Sequence, residues 1–304
     1  MSYNFRDFPH DFNPDSNLFR DLLTSSLGGS RSFNNIDVYG SYPSTQLIKR
    51  SVMRLISILD KNNKKWLSLK QGFREKINTK NINIWVTFEN RRVPINKFDL
   101  TFSFDTDSFK GKNIYFPLLY SYIDFLENNA DYIKNKINQR MLIKKRNLKI
   151  ESVAPRKFAC VFLNNPEPFR LRVIDELSKI GEVDIFGSHS NNYVLNKIDK
   201  TKEYKFVIAM ENDFYPGYIT EKPLEAWLGQ SVPIYWGYDK MNIINKRAIL
   251  NIADYESLDI FVEKIEMLNK NPSELVKIIN QPFLNNILKP KEIKDKIRNI
   301  IKNH

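Results

Sequence analysis

The stretch 206-FVIAMENDFYPGYITEKPLEAWLGQSVPIYWG-237 decides the fold of this chain. Tyr204 to Met210 (YKFVIAM) is an apolar and aromatic run interrupted only by Lys205, the pattern of a buried strand. It ends in the polar pair Glu211-Asn212, and Pro216-Gly217 then turns the chain. Thr220 stands where an N-cap belongs, with Glu221 and Lys222 in the first turn of the next helix. Pro223 is tolerated there because early helical N–H groups have no intrahelical partner. Val232 to Trp236 (VPIYW), closed by Gly237, is the following strand. Strand, helix and strand at this spacing signal a parallel sheet with helices on its faces.

Working outward, the same alternation continues in both directions. Phe158 to Leu163 (FACVFL) reads as a strand, followed by a polar turn, a helix from about Phe169 to Ile180 and a short strand from Glu182 to Phe186. In the N-terminal half, Asn34 to Tyr42, Asn83 to Phe88 and Phe98 to Phe104 carry strand patterns. Leu47, Val52, Leu55, Ile58 and Leu59 fall near one helical face, and the first dozen residues allow a short strand. The stretch 124–149 is rich in Lys and Asn with sparse apolar residues, and reads as helices and linker. The chain is therefore expected to be α/β, with two Rossmann-like domains and a site in the cleft between them. The expected division is 1–150, 151–285 and a basic amphipathic terminal helix over 286–304. That helix spaces Ile287, Ile293, Ile297 and Ile300-Ile301 along one face. Two readings of it stay open, docking on the protein and contact with an anionic membrane surface through 287–304.

Length and composition agree. At roughly 150 residues per domain, 304 residues suggest two domains able to bury their own cores. Lys and Arg number 47 against 35 Asp and Glu, a formal +12 that implies an anionic partner without choosing between nucleic acid, phosphate ester and membrane. The basic residues are spread along the chain with no arginine-rich block, which argues against nucleic acid. Cys160 is the one cysteine, so no intramolecular disulfide forms and a reducing compartment fits. The N-terminus lacks the features of a signal peptide, and no run of about eighteen apolar residues exists to cross a membrane.

The usual catalytic and phosphate-binding patterns are missing. There is no GxxxxGK[ST], GxGxxG or GxSxG, and His10, His189 and His304 lie far apart without metal-ligand spacing. Asp105-Thr106-Asp107 resembles a metal-chelating DxD, but is read as a solvated turn. What remains is the helix that follows Asn212. A helix N-terminus supplies backbone donors and a partial positive charge, to which Lys222 adds a cation suited to a diphosphate. Lys222 opposes the helix dipole unless an anion sits beside it, whereas Glu221 fits the dipole and is able to accept from sugar hydroxyls. A capped surface helix explains Thr220 and Glu221 but not the whole string.

The string resembles the C-terminal motif of the α-1,3/α-1,4-fucosyltransferases, glycosyltransferase family ten, a pattern close to FEN-x-x-x-x-x-Y-x-TEK followed by a helix and IPIYWG. Asn212, Tyr218, Thr220, Glu221, Lys222 and Pro233 to Gly237 fall in register. FLNNPEPFR puts Arg170 where the family has an Arg opening a helix. WVTFENRRVPINKFDLTFSFD is similar to the family's N-terminal strand, Glu-Asn pair and F-D strand, and Phe19-Arg20-Asp21 is a weaker echo. Met210 replaces the usual Phe, and Asp213-Phe214-Tyr215 has no counterpart in the pattern.

The resemblance implies a GT-B fold and an inverting transfer of L-fucose from GDP-fucose to a glycan hydroxyl, the expected product being α-1,3 to GlcNAc or Glc of a galactose-containing oligosaccharide. It implies Glu89 as catalytic base and Arg170, Asn212, Tyr218, Glu221 and Lys222 as donor-binding residues. No metal site and no required cofactor are expected, a divalent cation being at most non-essential. The expected partners are GDP-fucose, an oligosaccharide or lipid-linked glycan acceptor and an anionic membrane surface, with no nucleic acid. Single Cys160 and the missing anchor suggest a bacterial-type cytoplasmic member, peripheral at most. The alternatives are a GT-B transferase for another nucleotide sugar and a basic nucleic-acid-binding protein.

Overall fold

A computed structural model describes residues 2–6, 35–40, 82–87, 90, 92, 97–124 and 137–302; for 2–6, 35–40 and 300–302 only the backbone is described. By compactness the chain divides into two units. One comprises residues 1–103, 107–114 and 291–304, the other 104–106 and 115–290.

The first unit contains a five-stranded sheet in the order β1-β2-β3-β4-β5. Its strands are β1 (Ser2–Arg6), β2 (Asn35–Gly40), β3 (Ile82–Val86), β4 (Leu100–Ser103) and β5 (Asn113–Tyr115). The pairings from β1 through β4 are parallel. Every residue of β3 and β4 is buried, the polar Asn83, Thr101 and Ser103 included, as in a strand covered on both faces. Thr101 and Ser103, also buried, each donate a hydroxyl to Asn113 Oδ1 at 2.8 Å, which satisfies these polar groups inside the sheet. The helical pattern over 47–59 and the echo at Phe19-Arg20-Asp21 lie outside the described residues.

In the second unit, β6 (Ile123–Asp124), β7 (Ile137–Asn138) and the short α1 (Gln139–Leu142) precede the main sheet. Arg146, in the stretch read as linker, lies over the Trp227 ring at 3.2 Å from its centroid. The main sheet runs through β8 (Lys157–Phe162), α2 (Pro168–Ser178), β9 (Val183–Phe186), α3 (Lys197–Thr201), β10 (Tyr204–Met210), α4 (Lys222–Leu228), β11 (Val232–Trp236), β12 (Leu250–Asn251), α5 (Leu258–Lys270) and α6 (Pro272–Ile279). All five strands are parallel, in the order β12-β11-β10-β8-β9. Alternate side chains of β10 serve opposite faces. Phe206, Ile208 and Met210 pack with α2, α5 and α6, while Val207 and Ala209 pack with Ala226 of α4.

Taken from the β9 edge, the chain order of the strands is second, first, third, fourth, fifth. Sheet growth therefore reverses between β8 and β10. Connections leave these two strands toward opposite faces, and a crevice opens at their carboxyl ends, where α/β sheets bind ligands.

The terminal helix, α7 (Pro290–Lys302), forms and Ile297 on it is fully buried, but it starts at Pro290 rather than 286, where the proline fits a first helical position, so Ile287 lies before it and is exposed instead of on its apolar face. Among the described residues, no helix is long and apolar enough to cross a membrane.

Candidate functional site

Two turns meet at the β8/β10 crevice. The first, Leu163 to Glu167, leads into α2, where Pro168 supplies the first helical residue. The Asn164 side chain anchors it, accepting from Ser188 N at 3.0 Å and Ser188 Oγ at 3.1 Å. Gly187 makes this approach possible: its φ is +103°, and a Cβ there would stand 2.7 Å from Asn164 Oδ1.

Arg170, in the first turn of α2, is buried and points across to the end of β10. Its Nη1 donates to Asn165 O at 2.6 Å, and its Nη2 donates to Met210 O at 3.0 Å, Glu211 O at 2.9 Å and Asn212 Oδ1 at 3.0 Å. Burial pulls the guanidinium pKa down from its ordinary value, opposed by the nearby carboxylates of Glu167 and Glu211.

The second turn runs from Glu211 to Glu221. Glu211 is 1% exposed. Its Oε1 accepts from Thr220 N at 2.7 Å, and its Oε2 accepts from Thr220 Oγ1 at 2.7 Å and Lys222 Nζ at 3.2 Å. Burial raises the carboxyl pKa above the usual value, against the pull of Lys222 and the two Thr220 donors. Lys222 Nζ also reaches Asn212 Oδ1 at 3.4 Å, so one amide oxygen is shared between Arg170 and Lys222.

This arrangement corrects two expectations. Thr220 is not the N-cap of α4: the helix begins at Lys222 after Glu221, and the Thr220 hydroxyl is drawn instead to the buried Glu211 carboxylate. A buried charge without donors costs far more than a helix start without a side-chain cap, so Glu211 wins the hydroxyl. The anion that Lys222 requires at a helix N-terminus is supplied within the chain, by Glu211.

The residues between these points also find places. Phe214 lies against Trp236 and stacks on Tyr238, with ring centroids 5.3 and 5.7 Å apart. Tyr215 donates its hydroxyl to Asp105. Asp105 is accordingly buried, contrary to the solvated turn expected; Asp107, two residues on, is exposed and accepts from Phe109 N at 2.7 Å. Gly217, at φ +90°, lets the loop pass Phe104, where a Cβ would stand 2.5 Å from the Phe104 carbonyl oxygen.

Arg170, Asn212, Glu221 and Lys222 line one pocket, together with Phe162, Asn164, Asn165, Lys197 and Glu225 among others. Tyr218 is not in that lining; it is buried edge-on against Phe104 at 4.8 Å. Glu89 lies outside the described residues. Sequence reasoning passed over Glu211 as a functional residue, although the unfavourable position of Lys222 was the signal that an acid must be near. It also missed Lys197 and Glu225, an ion pair of 3.8 Å, because α3 is a five-residue helix with no apolar periodicity to mark it.

Residues 155–280 match the model of glycosyltransferase family 10 (fucosyltransferase), C-terminal part. The chain is 27% identical over 230 residues to an alpha-(1,3)-fucosyltransferase of Helicobacter pylori, covering 67% of this chain and 48% of that protein. It is 35% identical over 129 residues to 4-galactosyl-N-acetylglucosaminide 3-alpha-L-fucosyltransferase 9 of Bos taurus, covering 41% of this chain and 32% of that protein. The matches thus span less than half the length of these relatives. A crystal structure of alpha1,3-fucosyltransferase with GDP-fucose superposes with a TM-score of 0.66 at 18% identity, covering 99% of this chain and 90% of the other. The fold is the GT-B type expected from the sequence, built here on two five-stranded sheets.

Proposed function

We propose that this chain, whose residues 155–280 match the C-terminal model of glycosyltransferase family 10, is a fucosyltransferase whose donor, GDP-fucose, binds at the β8/β10 crevice. One observation carries this reading: Arg170 from the start of α2, Asn212 and Glu221 from the turn after β10, and Lys222 from the start of α4 line a single pocket where the sheet reverses its growth. Two cations and a helix N-terminus suit a diphosphate, and the Glu221 carboxylate suits ribose or fucose hydroxyls. Tyr218 supports the loop from its buried position. The unit of residues 104–106 and 115–290, which takes in the expected donor-binding domain 151–285, serves as the donor-binding domain, and the other unit, which begins with the first part of the expected 1–150, as the acceptor-binding domain.

In an inverting transfer the acceptor hydroxyl attacks the fucose C1 as the bond to the β-phosphate breaks. Positive charge develops on the sugar ring and negative charge on the departing GDP. Arg170 and Lys222 stand where a diphosphate would collect that negative charge, and their positions are set before the donor arrives. Glu89 takes the acceptor proton as general base. The acceptor is a galactose-containing oligosaccharide, free or lipid-linked, fucosylated α-1,3 on GlcNAc or Glc. The basic face of 287–304 is proposed to meet an anionic membrane, the face around Ile297 being already packed. No metal or other cofactor has a role in this scheme.

Thermal-shift measurements with GDP, UDP and CMP are expected to raise the unfolding midpoint with GDP alone, since a ligand that binds only the native state stabilises it by mass action. Stabilisation by UDP or CMP instead would move the reading to a transferase for another nucleotide sugar. Incubation with GDP-fucose and β-galactosyl-GlcNAc acceptors is expected to yield a fucosylated product by mass spectrometry. Glu89→Ala is expected to lower kcat by at least about 100-fold with GDP affinity unchanged, as for loss of a general base. Near-normal turnover in that variant would remove Glu89 from the scheme.

A further inference from the structure

Glu211 is the most completely buried acid at the site, and it does not line the pocket. Two of its groups nevertheless hold the two cations that do. Its backbone carbonyl accepts from Arg170 Nη2 at 2.9 Å, and its carboxylate accepts from Lys222 Nζ at 3.2 Å. The same carboxylate takes the amide and hydroxyl of Thr220, so both ends of the loop that carries Asn212 are tied to one residue. A buried ion pair is a poor device for stability alone, since an apolar pair of similar volume often does as well. A pair of this kind is better suited to fixing the direction of a charge. Lys222 needs such fixing: an ammonium on a four-carbon stem at a helix N-terminus is repelled by the helix dipole and, with its side chain 28% exposed, has solvent into which to swing.

We infer that Glu211 is a positioning residue that holds the Lys222 ammonium toward the pocket, so that the diphosphate meets a cation already in place. The inference rests on the donor reading above and goes beyond it, because Glu211 touches no substrate. Atomic roles divide cleanly: Lys222 binds, Glu211 aims Lys222, and Thr220 holds both oxygens of the Glu211 carboxylate, its hydroxyl on the one that Lys222 also reaches.

A double-mutant cycle on GDP affinity, measured by calorimetry with the whole chain, tests this. Lys222→Ala is expected to weaken GDP at least about tenfold, the loss of one charge-assisted contact. Glu211→Gln keeps the volume but loses the charge, and is expected to weaken GDP about tenfold as well. In the double variant the Glu211→Gln effect disappears, because there is no ammonium left to aim. Additive losses would mean that Glu211 only holds the fold together, and unchanged GDP affinity in Glu211→Gln would also overturn the inference. Should Glu211→Gln fail to fold, Thr220→Val removes just the hydroxyl donor to the carboxylate. A several-fold loss that vanishes in the Lys222→Ala background is expected there, and a loss that persists in that background overturns the inference. A wild-type chain that binds no GDP overturns the donor reading itself, whereas normal binding with an indifferent Glu211→Gln overturns the inference alone.

Discussion

Arg170 and Lys222 reach the same pocket from the starts of two different helices, and they are held in opposite ways. Arg170 is buried, and its hydrogen-bond partners are neutral oxygens, three backbone carbonyls and the Asn212 amide. Among the described residues no carboxylate contacts it within ion-pair distance. Lys222 is partly exposed and leans on a carboxylate at 3.2 Å. The difference follows from the two head groups. A planar guanidinium offers five donors in a rigid fork and is able to bridge several carbonyls at once, while an ammonium is a compact point charge that needs an anion to fix it. Electrostatically, the Arg170 charge reaches the pocket without a contact anion to offset it. The Lys222 charge is largely offset until a ligand competes for it. On the proposed reading, the start of α2 would supply most of the attraction for a diphosphate, and the start of α4 its aim.

This contrast is open to attack at three levels. The largest effect is expected for Arg170→Ala, which both removes the guanidinium charge and leaves buried carbonyls of Met210 and Glu211 without their donor. GDP affinity is expected to fall by at least about 100-fold, with a lower unfolding midpoint, and Arg170→Lys restores neither because one ammonium cannot span the same acceptors. An Arg170→Lys variant with normal GDP affinity would erase the distinction between the two cations. The roughly tenfold loss expected for Lys222→Ala comes next, and it sharpens the comparison only if it is clearly the smaller.

The smallest expected effect lies in the pH dependence of stability. Burial raises the Glu211 pKa above its ordinary 4.5, so the native chain takes up this proton at a higher pH than the unfolded chain does. The stability linked to this uptake is present at low pH and is lost as pH rises through the raised value. Unfolding midpoints of wild type and Glu211→Gln, compared from neutral pH down to about 4.5, are expected to converge or cross in the direction that favours wild type on acidification. Parallel profiles would indicate that Glu211 keeps an ordinary pKa. Glu225 and Asp239, also raised by burial, are common to both proteins and cancel in the difference.

Much of this architecture is legible one residue at a time. Strands β10 and β11 run over Tyr204–Met210 and Val232–Trp236, the bounds their apolar runs predict, because strands covered on both faces are apolar almost throughout, Lys205 near the start of β10 being the exception. The start of α2, expected near Phe169, falls at Pro168, and α7 was legible from the spacing of Ile293, Ile297 and Ile300-Ile301, although Ile287 lies outside it. Legibility fails wherever a polar side chain has a distant choice of partner. Thr220 has the local signature of an N-cap, yet its hydroxyl bonds Glu211, nine positions earlier in the chain. Asp105 has the signature of a solvated turn, yet it is buried under Tyr215, 110 positions away. Asp213-Phe214-Tyr215, without counterpart in the motif, acquires a place only when Trp236, Tyr238 and Asp105 come alongside.

Sequence by itself determined the parallel α/β class, the strands that form the donor-side sheet and the group of polar residues at their carboxyl ends, since these depend on runs and spacings that do not change with the partner. Tertiary structure alone decided how the charges are used. Strand order brought the end of β8 beside the end of β10, so that Arg170 met the carbonyls of Met210 and Glu211. Burial then obliged Glu211 to collect Thr220 and Lys222, because a carboxylate removed from water is tolerated only when donors surround it. Desolvation belongs to the folded state, and no stretch of chain read alone contains it.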